Sequence, residues 1–141
     1  MKRKKTTKEH DLKWWKKKAD KFFSLYIRRK YAHNNMVICV TCGVRKHWKE
    51  VHCGHYISRN HLSTRFDKRN VAPQCPGCNL FGSGKHDVFA LALVSKYGKD
   101  ILEDLNAQKN KPVKYTIAHY QDMIDSWQDK LVGFDIRDGI L

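Results

Sequence analysis

Four cysteines fall into two pairs of the same spacing, Cys39-x-x-Cys42 and Cys75-x-x-Cys78. A thiolate pair two residues apart can hold one ion, because the turn between them brings both sulfurs to one side. Four such sulfurs make the tetrahedral shell of a closed structural zinc site. Gly43 and Gly77 suit the tight turns of such knuckles. The alternative, two redox pairs or a set of buried thiols, requires both pairs to share their spacing by chance. Thirty-two residues separate the pairs, more than the ~15–20 of a simple zinc ribbon. That stretch should form something of its own, and it holds most of the side chains able to do chemistry: His52, Cys53, His55, Arg59, Arg65, Asp67 and Asn70, with Asn79 directly after the last cysteine. Cys53 is the odd thiol. Such a residue is usually a small buried hydrophobe, although His52 and His55 beside it leave a ligand swap open.

The elements that must position these residues follow from periodicity. Residues 1–8 are polar and basic and read as a disordered tail. Leu12, Trp15, Ala19, Phe22 and Tyr26 recur at helical spacing from Asp11 to about Tyr31, opposite Lys13, Lys16, Lys17 and Lys21. This predicts an amphipathic helix whose aromatic stripe packs on the domain, broken by His33-Asn34-Asn35. Met36–Val40 is a short β-prone run entering the first knuckle, and Val51, Tyr56 and Ile57 point to a second strand within 50–58. An irregular segment follows and ends at Pro73, before the second knuckle. Asp87–Tyr97 reads as a helix stopped by Gly98, Asp100–Lys109 as another, and Asn110–Pro112 as a linker. Ile117, Tyr120, Ile124, Trp127 and Leu131 mark a last amphipathic helix capped by Thr116. The expected division is a basic tail and helix over 1–34, a zinc-bound core over 35–110, and a C-terminal helix and tail over 111–141.

Charge narrows the partner. The chain carries 28 Lys and Arg against 14 Asp and Glu, a net +14. Thirteen of the basic residues but only three of the acidic ones lie within residues 1–30. Such a bias favours a polyanion, because Lys and Arg release counterions condensed on phosphate. A solvated tail that only aids solubility is the plainer reading. With 141 residues, 41% of them hydrophobic, one domain with a modest core is expected, of the size that gains from a metal staple. No run of about 18 apolar residues exists, so no membrane span is expected. The basic start lacks the apolar stretch of a secretory signal. A cytoplasmic setting follows, where thiols stay reduced and free for metal.

The strings Gly54-His55-Tyr56-Ile57-Ser58-Arg59, Thr64-Arg65-Phe66-Asp67, Asn70, Gln74-Cys75 and Cys78-Asn79, followed by Tyr97-Gly98-Lys99-Asp100, resemble the phage lambda NinG (Rap) recombination endonucleases. That family is placed within the HNH, or His-Me finger (ββα-metal), nucleases. The resemblance covers about residues 36–105. It implies that His55 is the general base, that Asn70 holds the loop and orients the histidine, and that Asn79 binds a catalytic divalent ion at the start of the α element. Hydrolysis of a phosphodiester needs such a base for water and a cation for the leaving oxygen. A neutral imidazole suits the first task, and Mg²⁺ or Mn²⁺ the second. One departure stands out. Gly54 occupies the position where many relatives carry an Asp that is a second ligand. The ion would then rest on Asn79, phosphate oxygens and water, or His52, Asp67 or His86 would swing in.

The expected fold is α+β: a small zinc-stapled ββα-metal core, flanked by an N-terminal basic helix and C-terminal helices. The expected activity is metal-dependent hydrolysis of DNA, by resemblance branched or recombination-intermediate DNA of the Holliday-junction type. The setting would be the cytoplasm of a bacterial host carrying a phage or prophage. Cutting two strands fits a homodimer, with the aromatic helices as an interface. Arg59, Arg65, Lys68, Arg69 and Lys85 around the site would clamp phosphates, with Lys13, Lys16, Lys17, Arg28 and Arg29 of the first helix as a further DNA clamp. Two rivals stand beside this reading. A non-catalytic zinc module that binds nucleic acid explains the knuckles and the charge, but not His55, Asn70 and Asn79. A sequence-specific or nicking HNH enzyme lacks an evident base-reading domain here.

Overall fold

The computed structural model describes residues 9–141; the basic stretch 1–8 lies outside the described residues. Helix α1 spans Leu12–Tyr31, and its N-cap Asp11 accepts a hydrogen bond from the Trp14 N–H. Arg28, Arg29 and Lys30 close its last turn, where cations favour the helix dipole. Its buried stripe is Ala19, Phe23, Tyr26 and Ile27, rotated by about one position from the stripe expected through Phe22, and Leu12 is exposed. After α1 the chain reverses through Asn34 and Asn35, both with positive φ, a conformation asparagine tolerates. Strand β1 (Met36–Ile38) then pairs antiparallel with β2 (Arg45–His47), and the first knuckle is the turn between them.

A second hairpin carries the site. Strand β3 (His52–His55) pairs antiparallel with β4 (Val71–Gln74). The segment between them holds helix α2 (Leu62–Arg65) and a 3₁₀ turn, Lys68–Asn70. Both β2 and β4 escape sequence reasoning. The first is Arg-Lys-His with no apolar alternation, and the second contains Pro73. The register shows why Pro73 is tolerated. Tyr56 N–H donates to the Asn70 carbonyl, so ladder bonds fall on alternate pairs from there. Cys53–Pro73 is therefore a pair without ladder bonds, where a missing N–H costs nothing. The outward carbonyl of Pro73 accepts from Val40 N–H at 3.0 Å, tying the first knuckle to the hairpin.

The chain continues through one π-type turn, Gly77–Phe81, into α3 (His86–Tyr97), α4 (Ile101–Lys109) and α5 (Ile117–Arg137). Thr116 and His119 form a reciprocal capping box at the start of α5. The β3–β4 hairpin is covered on both faces. Val71 joins Ala19, Phe23, Tyr26 and Ile27 of α1 and Tyr120, Ile124 and Trp127 of α5. Ala72, one residue on, faces Phe89, Leu93, Ile101 and Leu105 of α3 and α4, as the period of two requires. The boundaries expected at 34 and 111 thus fall between elements that share one core. Phe23 and Tyr26 of α1 and Tyr120 and Trp127 of α5 are buried in this core, and Phe66 packs edge-on or tilted against Phe23, Tyr120 and Trp127, while Trp14 of α1 stays exposed. No helix among the described residues is long and apolar enough to cross a membrane.

Candidate active site and metal centre

The two knuckles meet. The sulfurs of Cys39, Cys42, Cys75 and Cys78 all lie within 4.8 Å of one another, with Cys42 and Cys75 at 3.7 Å. Zinc bonded to sulfur at about 2.3 Å in a tetrahedron implies edges of about 3.8 Å, so the four fit one ion. Backbone N–H groups of Cys75 and Cys78 point at the Cys39 and Cys75 sulfurs. Burial pushes the Cys39 thiol up, but hydrogen bonds from the Cys75 backbone, the Thr41 hydroxyl and the Cys42 and Thr41 backbone outweigh it and bring the group to about 6. At Cys42 the Val44 N–H pulls down, while burial and the three neighbouring sulfurs push the thiol up to about 11. Four thiolates this close repel one another unless a cation sits among them, and that is the charge state a structural zinc stabilises. Gly43 has φ +77° and serves the first knuckle as expected. Gly77 does not: it lies in the π-type turn without positive φ, and a Cβ there would meet only ordinary contact. Cys53 stands apart from the cluster, and burial pushes its thiol up to about 12. It is an inert packing residue.

A cleft of about 630 Å³ runs between α1 and the outer edge of β3. His52, Cys53 and His55 line it from β3, and Asn79 and Leu80 from the π-type turn. Asp20, Phe23, Ser24 and Arg28 line it from α1, with Arg59 and Lys49 at its ends. The His55 ring packs near Phe23 and its Nε2 lies 2.9 Å from the Arg65 carbonyl oxygen. A carbonyl only accepts, so Nε2 carries the proton and Nδ1 keeps its lone pair. Burial lowers the His55 pKa and Arg59 works the same way; the Arg65 and Cys53 carbonyls and Asp20 oppose them and lose. The balance favours the neutral imidazole.

Two residues hold this arrangement, Asn70 from within the loop and Asp20 from the cleft wall. Asn70 is fully buried. Its Oδ1 accepts from Ile57 N–H, and its Nδ2 donates to the Ile57 and Thr64 carbonyls. Asn70 is therefore a positioning residue that closes the loop over which the Arg65 carbonyl is presented. Asp20, which sequence reasoning passed over, binds the Arg65 guanidinium through both carboxylate oxygens at 2.8 and 2.5 Å. Helix α1 thereby fixes the residue whose carbonyl fixes His55.

Asn79 sits in the π-type turn, not at the start of α3, and its Nδ2 is 3.0 Å from His52 Nδ1. Among the described residues its Oδ1 takes no hydrogen bond. Of the three side chains expected to compensate for Gly54, only His52 reaches Asn79. Asp67 is clamped by Arg69, and His86 lines other hollows. Gly54 itself has no room for a side chain: a Cβ there would lie 2.4 Å from Oε1 and 2.8 Å from Cβ of Gln74. Gln74 is fully buried, and its Nε2 donates to the Thr41 hydroxyl and the Gly84 carbonyl. Gly54→Ala should cost about 1–3 kcal/mol through overpacking, read as a lower denaturation midpoint. Gly54→Ala with Gln74→Gly, which removes both contacting atoms, should be less destabilised than the sum of the singles; a double variant no better than that sum would refute the clash.

The basic residues sort by their partners. Arg28 donates to Ser24 and to the Trp48 carbonyl and has no carboxylate partner among the described residues; burial lowers its pKa. Arg59 is exposed and similarly unpaired, and Lys49, absent from the sequence reading, completes the basic wall. Other expected clamps are already neutralised. Arg29 is buried and pairs with Asp135 and Asp138 of the α5 end, Arg65 with Asp20, and Arg69 with Asp67. Lys13, Lys16, Lys17, Lys68 and Lys85 lie outside the cleft.

A family model described as Bacteriophage Lambda NinG protein matches residues 1–135. Curated relatives include the protein ninG of Escherichia phage lambda, 26% identical over 84% of this chain and 56% of the relative. That of Escherichia phage 933W is 25% identical over 84% and 57%, and that of Salmonella phage P22 is 26% identical over 89% and 59%. The chain thus spans a little over half the length of these relatives. No solved structure matches it. With nearly all of its residues under one family model, the chain belongs to the NinG family.

Proposed function

We propose that this chain is a metal-dependent nuclease of the HNH type that hydrolyses DNA phosphodiesters in the cleft beside β3. The observation that carries this reading is the placement of His55: its ring lines the cleft with Nε2 2.9 Å from the Arg65 carbonyl, so that Nδ1 keeps its lone pair, beside Arg28, Arg59 and Lys49, which have no carboxylate partner among the described residues. The β3–β4 hairpin leading through Asn79 toward α3 supports it, since it supplies the strand, loop and α order that the superfamily requires.

In this reading Arg28, Arg59 and Lys49 bind the phosphates and seat the scissile group near His55. His55 Nδ1 accepts a proton from the attacking water as the new P–O bond forms and the bond to the 3′-oxygen breaks. Asn70 and the Asp20–Arg65 pair keep the imidazole aimed. Asn79 Oδ1, with His52 beside it, would hold a divalent ion such as Mg²⁺ or Mn²⁺, which supplies charge neutralisation at the phosphate and the leaving oxygen. Cys39, Cys42, Cys75 and Cys78 would hold a structural zinc, which would steady the turn that carries Asn79.

Cleavage of four-way-junction and linear DNA, with and without Mg²⁺, by protein that retains its zinc tests the reading. Mg²⁺-dependent cleavage is expected. Its acid limb should lie below the ordinary imidazole value of about 6.5, because the base works unprotonated and its pKa is lowered. Tight binding with no cleavage at any pH would reduce the chain to a zinc-stapled DNA-binding module, and an acid limb above 6.5 would remove His55 as the base.

A further inference from the structure

The π-type turn that carries Asn79 also carries Leu80 and Phe81. Leu80 is 61% exposed and lines the cleft; Phe81 is 88% exposed and is the most exposed large hydrophobic side chain among the described residues. A lone exposed phenylalanine means little. This one differs in how it is held and in what lies beside it. Its turn is pinned at both ends: Cys78 is a cluster ligand, Asn79 N–H bonds to the Cys75 carbonyl, and Gly82 N–H and Gly84 N–H bond to the Gly77 and Cys78 carbonyls. The stem of Lys85 packs over Gly82, where a Cβ would lie 3.0 Å from its Cγ and Cε. Lys85 has no carboxylate partner among the described residues. The result is an apolar tip with a cation beside it, one residue beyond Leu80, which lines the cleft together with Arg28, Arg59 and Lys49.

We infer that Phe81, with Leu80 beneath it, stacks on an unpaired base of the nucleic acid whose backbone the cleft grips. The charge beside it selects a polyanion, and among polyanions only nucleic acid offers a flat apolar face to match a ring. In continuous duplex those faces are hidden between neighbours. They are open at a bulge, a gap or a branch point, or where a wedge side chain unstacks a step. Phe81 is therefore a residue that sets preference for interrupted stacking, while the basic wall sets affinity for any DNA. This inference rests on the cleft being a DNA site.

The test is binding of two labelled DNAs, a duplex with a three-nucleotide bulge and the same duplex fully paired, to the zinc-loaded full chain without added Mg²⁺. Wild type should prefer the bulged DNA. Phe81→Ala should lose about five- to a hundredfold affinity for it, the usual worth of one base–aromatic stack, and should bind paired duplex as wild type does. Phe81→Tyr should keep the preference. The side chain is so exposed that zinc content and unfolding midpoint should not change. If Phe81→Ala binds both DNAs as wild type does, or weakens both equally, the stacking role is overturned and the cleft assignment survives. If wild type binds neither DNA, the cleft assignment falls and the stacking role falls with it.

Discussion

His55→Ala should stop cleavage while leaving DNA binding and zinc content unchanged. A positioned general base is worth about 10²–10⁴ in rate, so single-turnover cleavage under saturating protein should fall by roughly that factor. Affinity should hold, because the proposed phosphate grip is assigned to Arg28, Arg59 and Lys49 and not to the imidazole. The split between rate and binding matters more than the size of the loss. A structural role for His55, bonded to Arg65 and packed on Phe23, would lower the unfolding midpoint and weaken binding together. A variant that cuts within a few-fold of wild type removes His55 from the chemistry.

Cys78→Ala is expected to have the larger effect on the fold. Binding of a structural zinc is worth about 10–16 kcal/mol in small zinc modules, comparable to the 5–15 kcal/mol that typically holds a whole domain. Cys78 is buried, and its loss opens the tetrahedral shell at the turn carrying Asn79, Leu80 and Phe81. The expected result is less than one zinc per chain and loss of a cooperative thermal transition in the β1–β4 region. Helices α1 and α5 share an aromatic core and an ion-pair lock at Arg29, so far-ultraviolet helicity should decline less than the transition does. Retention of one tightly held zinc by Cys78→Ala would show that the cluster closes without it.

The sequence made the cysteines and the helices legible for a simple reason. Ligand spacing and apolar periodicity are local, and both survive in one dimension. Thr116 as the α5 cap, Gly98 as the stop of α3 and Asp11 near the start of α1 are likewise local signals. What stayed hidden depends on contacts between distant segments. Strand β4 reads as irregular until its register shows Pro73 at a position that needs no N–H. The buried state of Gln74 has no sequence mark, although it explains why position 54 is glycine. Arginines are the clearest case. Arg28 and Arg29 are adjacent and chemically alike, yet one faces the cleft and the other is consumed by two aspartates more than a hundred residues away. Composition counts both as positive charge; only the fold tells which one a phosphate can reach.

The contact between Asp20 and Arg65 has a consequence for portability. A stretch cut at residue 35 would contain both knuckles, His55, Asn70 and Asn79, and would look like a complete cutting unit ready to be grafted onto another protein. It would lack one wall of its own cleft, the carboxylate that steadies the Arg65 carbonyl, and half of the apolar bed beneath β3. The structural unit that positions His55 is therefore the hairpin together with the helix that precedes it, and a fusion meant to carry the proposed activity should be joined upstream of Asp11.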